Sequence, residues 1–325
     1  MNLLQFLSAR LVKGVLVLFA IAVLNFFLIR AAPGDPAQVL AGEAGAADAQ
    51  LLEQLRQRFG LNEPLLTQLW IYIKGYMTFD LGFSYRQQQP VLTLVLDRLP
   101  ATLLLTGAAF VISLGLGVVM GALAARRAGR WSDSLITTLS LVFYATPLFW
   151  IALMSQIVFS LKLGLVPNVG YETIGANDTG LARALDIGHH LILPALTLGL
   201  FFTALYARMM RASMLEVAGA DFVKTARAKG LSPGIVSRRH VARNAILPVV
   251  TLAGLQAGQL VGGAVLTETV FAWPGIGRLM FDALLQRDYS VLLGVFFISS
   301  AMVVGFNIIT DLVYRIADPR IEAAS

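Results

Sequence analysis

The chain has 325 residues, of which 57% are hydrophobic and only 14% charged, and its mean hydropathy is +0.73. Soluble domains carry about 25% charged residues, so the composition excludes an ordinary soluble fold and points to a polytopic membrane protein. The absence of cysteine excludes disulfides, thiolate metal sites and cysteine nucleophiles, and the net charge of +6 has to be explained by where the cations lie.

A membrane span needs about 20 mostly apolar residues, and the apolar runs predict an all-α protein with six of them. The first, Leu11–Ile29, follows a basic start as a signal peptide would. Its length favours a retained span, as does Pro33, which a cut after Ala32 would leave at the new terminus. Residues 31–99 form the longest segment outside the spans and are expected to be an ordered subdomain. There "DAQLLEQLRQRFGL" sets Leu51, Leu52, Leu55 and Phe59 on one helical face closed by Gly60, and "LNEPLLTQLWIYIKGYM" offers a second amphipathic helix with Pro64 near its first turn.

The second span, Pro100–Ala125, holds Gly117-x-x-x-Gly121, a small-residue pattern that lets helices approach closely. Its "GLGVVMG" stretch is one residue too long for a dinucleotide fingerprint and lies inside an apolar run, which makes it a packing motif. Pro147 is expected to kink the third span, Ser134–Leu161. Lys162–His190 reads as a polar, irregular loop, and its adjacent His189 and His190 are too few for a metal site. The fourth span, Leu191–Ala207, is expected to continue as helix beyond Arg208. After the fifth, Ile246–Phe271, "FAWPGIGRLMFDALLQRDY" predicts a turn and a short amphipathic helix before the sixth span, Tyr289–Leu312.

Charge sets the orientation. If both termini are cytoplasmic, the inner segments hold 15 of the 25 Lys and Arg residues against six Asp and Glu, while the outer segments hold ten cations and 13 acids. That is the positive-inside pattern, and it accounts for the basicity without nucleic acid. The densest basic stretch is "DFVKTARAKGLSPGIVSRRHVARNAILP", with Lys224, Arg227, Lys229, Arg238, Arg239 and Arg243 between two spans. Gly230 is placed to end a first helix in the left-handed conformation, and Ser232-Pro233 to start a second, with the serine hydroxyl as cap and proline at the first helical position. Lys224 and Arg227 share one face of the first helix, with Phe222 and Ala226 on another. Two readings stand on the residues alone: a solvated loop whose cations fix topology or touch anionic headgroups, and a short rigid helix that docks in a partner's cleft.

This loop, "DFVKTARAKGL...RNAILP", resembles the cytoplasmic loop of inner-membrane permease subunits of binding-protein-dependent ABC importers, in the dipeptide, oligopeptide and nickel branch. Further matches stand in order along nearly the whole chain: "PGDP" at Pro33–Pro36, "DLGFSYRQQQPV" from Asp80, "RLPATL" from Arg98, "RASMLEV" from Arg211, "LTETVFAWPGIGRL" from Leu266, and "DPR" near the end. The wider importer pattern begins Glu-Ala-Ala and has glycine after three intervening residues; this chain has Lys224, Thr225, Ala226 and Gly230, so no contact of that glutamate carries over. The resemblance implies a multi-pass protein of the bacterial inner membrane, divided into residues 1–30 (N-terminus and first span), 31–99 (a periplasmic subdomain) and 100–325 (the permease domain, with a coupling loop at 208–245). It further implies a second homologous permease, two cytoplasmic ATPase subunits that hold the ATP and Mg, and a periplasmic substrate-binding protein, with no cofactor on this chain. The coupling role falls to Lys224, Thr225, Ala226, Arg227, Ala228, Lys229, Gly230 and Leu231. Peptides are the implied cargo, with nickel chelates, glutathione or small glycans as alternatives within the family.

The fifth span offers the other candidates. Gly254, Gly258 and Gly262 form a four-residue stripe, and Gln256 and Gln259 have to face protein or water, as helix-packing or pathway residues. Glu268, near the outer end, reads as an interface or structural hydrogen-bonding group. No phosphate-binding Gly-x4-Gly-Lys-[Ser/Thr] loop and no Ser–His–Asp arrangement is present, so the chain is expected to be a transport subunit and not an enzyme. A different class, the secondary ion-coupled transporter, would place ionisable groups or broken helices at mid-membrane, and the mid-span positions carry amides and glycines instead.

Overall fold

The computed structural model describes residues 3–31, 37, 49–58 and 61–317, which form twelve α-helical segments, two π-helical stretches and one minimal hairpin. Among the described residues four helices are long and apolar enough to cross a membrane, and up to six spans result if each of two bent helix pairs counts as one. The described chain divides into two compact units, residues 1–102 with 274–308 and residues 103–273 with 309–325.

In the first unit, α1 (Leu3–Ala31), α2 (Ala49–Arg58) and α3 (Leu65–Met77) precede the two-residue strands β1 (Phe83–Ser84) and β2 (Gln89–Pro90), which pair antiparallel. The predicted helices before and after Gly60 are thus found, α3 starting directly after Pro64, while Gly60 itself lies outside the described residues. The hairpin is an addition to the expected all-α fold. The start of α4 (Val91–Arg126) joins this unit, as do α11 (Ile276–Leu285) and most of α12 (Tyr289–Ala317). Their apolar faces close over Ala22, Tyr76, Val91, Val95, Ile276 and Val295. Two polar contacts fasten the helix starts. Asp288 accepts the amide of Val291 at 3.2 Å as the cap of α12 and also accepts the Ser84 hydroxyl, while the Thr102 hydroxyl accepts the first amide of α11, from Ile276, at 2.8 Å. The expected amphipathic helix after "FAWPG" is α11.

In the second unit the rest of α4 is followed by α5 (Trp131–Ala145), α6 (Leu148–Ser155) and a π-helical turn, Gln156–Lys162. Pro147 has no amide hydrogen and forces the preceding Thr146 to an extended ψ of 134°, so α5 and the α6 segment meet at 103°. The expected kink is therefore a corner. The next helix, α7 (Gly180–Ala218), is 39 residues long; it passes Arg208 as predicted but starts well inside the segment expected to be loop. It is the central helix, with 67% of its apolar window buried against 28% for α1, α4 and α12. Gly117 and Gly121 of α4 pack on it so closely that a Cβ on either would lie 2.5 Å from Tyr206 Cβ or 2.4 Å from the Ala207 carbonyl oxygen. After α8 (Asp221–Ala228), α9 (Pro233–Ile235) runs through a π-helical stretch, Val236–Ala242, into α10 (Arg243–Val270). The helix from Pro233 bends by 50° between Leu260 and Ala264.

Candidate functional site

The basic loop folds as its punctuation requires. Helix α8 ends at Ala228 with Lys229 as its cap; Gly230 follows with φ +76°, its amide donating to the Arg227 carbonyl at 2.9 Å, and the Leu231 amide reaches back to the Ala226 carbonyl at 3.4 Å. Those two bonds are the 5→2 and 6→1 pair of a Schellman motif. Ser232 and Pro233 then start the next helix, with the Val236 amide on the Ser232 carbonyl at 3.0 Å. The serine side chain makes no capping bond, so the expected hydroxyl cap is replaced by backbone geometry.

The faces of α8 differ from those expected. Val223 and Ala226 are the buried pair, while Phe222 is 48% exposed. Three-residue spacing brings Val223, not Phe222, onto the side that packs inward, where Val236 and Val241 of the π-helical stretch are buried too. Lys224, Thr225, Arg227, Ala228, Lys229, Gly230 and Leu231 are all exposed. Lys224 donates to Asp221 one turn back at 2.8 Å, and the Thr225 hydroxyl donates to the Asp221 carbonyl at 3.0 Å. The result is an eight-residue helix fastened by two small apolar side chains, closed by a stiff turn, with the rest of its surface presented outward.

Two long-range contacts brace its surroundings. Arg211 of α7 donates bidentately to Asp133, at 2.6 and 2.8 Å, and the Asp133 carboxylate also accepts the amide of Gly129 at 3.0 Å. Arg126, the last residue of α4, donates its Nε to the Ser237 hydroxyl at 2.8 Å. Asp133, Ser237 and Arg126 were not candidates from the sequence, because each contact joins residues 78 or more apart; Arg211 lay inside a matched motif with no role attached. Arg211→Ala is expected to lower the thermal unfolding midpoint of the purified protein, since it strands a nearly buried carboxylate. Arg211→Lys should recover only part of the loss, because an ammonium cannot copy the fork.

The α10 candidates separate. Gly254 is a packing position: a Cβ there would fall 1.8 Å from Thr310 Cγ2, and the Thr310 hydroxyl donates to the Gly254 carbonyl at 3.2 Å. Gly258 is buried, whereas Gly262 has open space around it, so the stripe does not act as one surface. Gln259 is exposed, and Gln256 is half-buried with its side-chain oxygen enclosed and without a hydrogen-bond partner among the described residues. Glu268 is fully buried where α10 ends. There the Trp273 amide donates to the Glu268 carbonyl at 2.8 Å, Gln156 donates to the Val270 carbonyl at 3.2 Å, and the Gly170 amide donates to the Phe271 carbonyl at 2.9 Å. Its surroundings are those of a structural junction. His189 and His190 bond the Leu165 and Asp186 carbonyls, at 3.1 and 2.9 Å.

Comparison with known proteins places this geometry. A family model described as the inner membrane component of binding-protein-dependent transport systems matches residues 117–323, and a companion model for the N-terminal part of such components matches residues 3–106. The dipeptide transport system permease protein DppB of Alkalihalophilus pseudofirmus is 39% identical, with 98% of this chain and all of that protein covered. DppB of Escherichia coli K12 is also 39% identical, over 98% of this chain and 99% of its own length. Inward-facing structures of the MetNI methionine ABC transporter share the fold at 17% identity, with TM-scores of 0.55 and 0.56; they cover 70% and 69% of this chain and 97% and 96% of their own. On this evidence the chain belongs to the inner-membrane permease components of binding-protein-dependent ABC importers.

Proposed function

We propose that the chain carries di- or oligopeptides across the inner membrane as one of two permeases, driven by two cytoplasmic ATPase subunits and supplied by a periplasmic substrate-binding protein. The observation that carries the peptide assignment is the end-to-end similarity to dipeptide permeases at 39% identity. In this reading each bent helix pair is one span, giving six, with both termini cytoplasmic and residues 31–99 in the periplasm.

Coupling runs through Lys224–Leu231. A helix held by Val223 and Ala226 and locked at Gly230 passes on a push from a partner instead of folding under it. ATP drives the cycle only if the nucleotide-bound ATPase pair favours one permease state over the other. Gln256 and Gln259 face protein or water in the assembled transporter, because an amide in hydrocarbon leaves its hydrogen bonds unmade.

Proteoliposomes holding this chain, its partner permease and the ATPases test the proposal. Uptake of a labelled dipeptide is expected to require ATP and the binding protein together. Uptake driven by a proton or sodium gradient, with no ATPase present, would overturn it in favour of a secondary transporter.

Topology has its own test, and the chain's lack of cysteine makes it clean. In intact cells, a membrane-impermeant thiol reagent is expected to label Gln89→Cys and to spare Ser232→Cys, both positions being exposed. Ser84, in the same hairpin, is buried on Asp288 and unsuited to labelling. The opposite pattern would invert the orientation.

A further inference from the structure

Behind the exposed face of α8 lies a cavity of about 1170 Å³, between the ends of α4 and α7 and the segment from Arg227 to Val241. Ligand sites usually run to roughly 300–1,000 Å³, so this one takes a sizeable group. Four arginines line it, Arg126, Arg227, Arg238 and Arg239, and no carboxylate does. None of the four forms a salt bridge among the described residues, and Arg126 bonds only the neutral Ser237 hydroxyl. Four arginines along one lining concentrate positive charge there, which an anion would offset. The rest of the lining is largely apolar, including Met214, Leu215, Ile235 and Val241.

A second hollow, of about 400 Å³, starts from the same arginine. Val118, Val119, Ala122 and Leu123 of α4 form one side, Met210 and Ile246 contribute the other, and Arg126 and Arg243 are its only charged members. These α4 residues belong to a helix apolar enough to span a membrane, and Arg126 is that helix's last residue. The two hollows share Arg126, one lined mainly by apolar residues along the last turns of a span and the other basic, and together they have the polarity of one molecule with an acyl chain and an acidic head.

We propose that the paired hollows hold an anionic phospholipid, its phosphate among Arg126, Arg227, Arg238 and Arg239 and an acyl chain along Val118–Leu123 of α4. Free inorganic phosphate would leave the apolar hollow unused. An acidic loop of a cytoplasmic partner would reach the arginines but not the span residues. The lipid would wedge between the end of α4 and the loop that carries α8, making the stiffness of that loop dependent on bilayer composition. This goes beyond the transport proposal and does not need it.

Native mass spectrometry of the full-length chain, extracted in mild detergent and titrated with phosphatidylglycerol or with phosphatidylcholine of the same acyl chains, tests the site. Phosphatidylglycerol is expected to be retained about tenfold better. Arg238→Gln with Arg239→Gln should remove most of that preference, since each basic side chain at a membrane surface is worth about fivefold. Arg238→Lys with Arg239→Lys should keep most of it. Ala122→Trp, which fills the apolar hollow, should weaken retention with every arginine in place. Circular dichroism matching the unmodified chain qualifies each variant, and the lysine and tryptophan variants decide the matter if the glutamine pair does not fold. Equal retention of the two lipids would overturn the proposal. So would inorganic phosphate displacing the lipid at equal concentration, which would mean a free-anion site. Unchanged lipid retention in the glutamine pair, with ATPase co-purification lost, would assign the arginines to the partner instead.

Discussion

Gly121→Ala is expected to destabilise the purified chain by about 1–3 kcal/mol, the usual cost of forcing a methyl group into a filled core. The added Cβ would sit 2.4 Å from the Ala207 carbonyl oxygen and 2.7 Å from Met210 Cβ. A backbone oxygen cannot swing aside, so α4 and the central α7 have to part. Gly115→Ala, six residues earlier on the same helix, is the control: nothing lies within 4 Å of its Cβ position. There alanine relieves the glycine penalty and is expected to stabilise by about 0.5–1 kcal/mol. Thermal unfolding of the two variants side by side reads the difference. Equal midpoints would mean that α4 does not lie on α7 at this register.

The second large effect is expected at Gly230. Valine there meets no neighbour, since nothing lies within 4 Å of the Cβ position, so any effect comes from the backbone alone. At φ +76° an L-residue is strained by about 1–2 kcal/mol, and a β-branched one by more. The strain opposes the two backbone bonds that close α8 and lets its last turn unwind. Gly230→Val is therefore expected to insert normally but to cut ATP-driven uptake by about tenfold, the ratio that about 1.4 kcal/mol represents. Gly230→Asn should retain most uptake, because asparagine accepts the left-handed region. Wild-type uptake together with wild-type ATPase stimulation in the valine variant would remove this turn from the coupling path.

Local signals carried most of what could be read from the residues. Gly230 followed by Ser232-Pro233 marks a helix end and a helix start through φ preference and a missing amide, and these act within a few residues. The same holds for Pro64 before α3 and for the break at Pro147. The choice between Phe222 and Val223 on α8 was less legible, since an eight-residue helix has no long periodicity and its buried side is set by the π-helical stretch beside it. The start of α7 is hidden in the same way: glycines and polar residues at 180–190 look like loop, yet these first turns, about three, belong to a long helix whose later part is buried. Asp133 with Arg211, and Arg126 with Ser237, join residues far apart and leave no trace in any window of sequence. The glycine stripe of α10 has the right spacing, yet Gly254 is pressed against Thr310 while Gly262 has open space around it.

The corner at Pro147 has a consequence for wetting. Thr146 turns both its amide and its hydroxyl back to the Val142 carbonyl, and the amides of Trp150 and Ile151 share the Pro147 carbonyl. The amides of Leu148 and Phe149 open the following helix and have no intrahelical acceptor. Hydrocarbon cannot solvate such groups, and leaving them bare there costs several kcal/mol each. Wherever this corner rests in the bilayer, fatty tails have to be kept off it by neighbouring protein or by a thread of water.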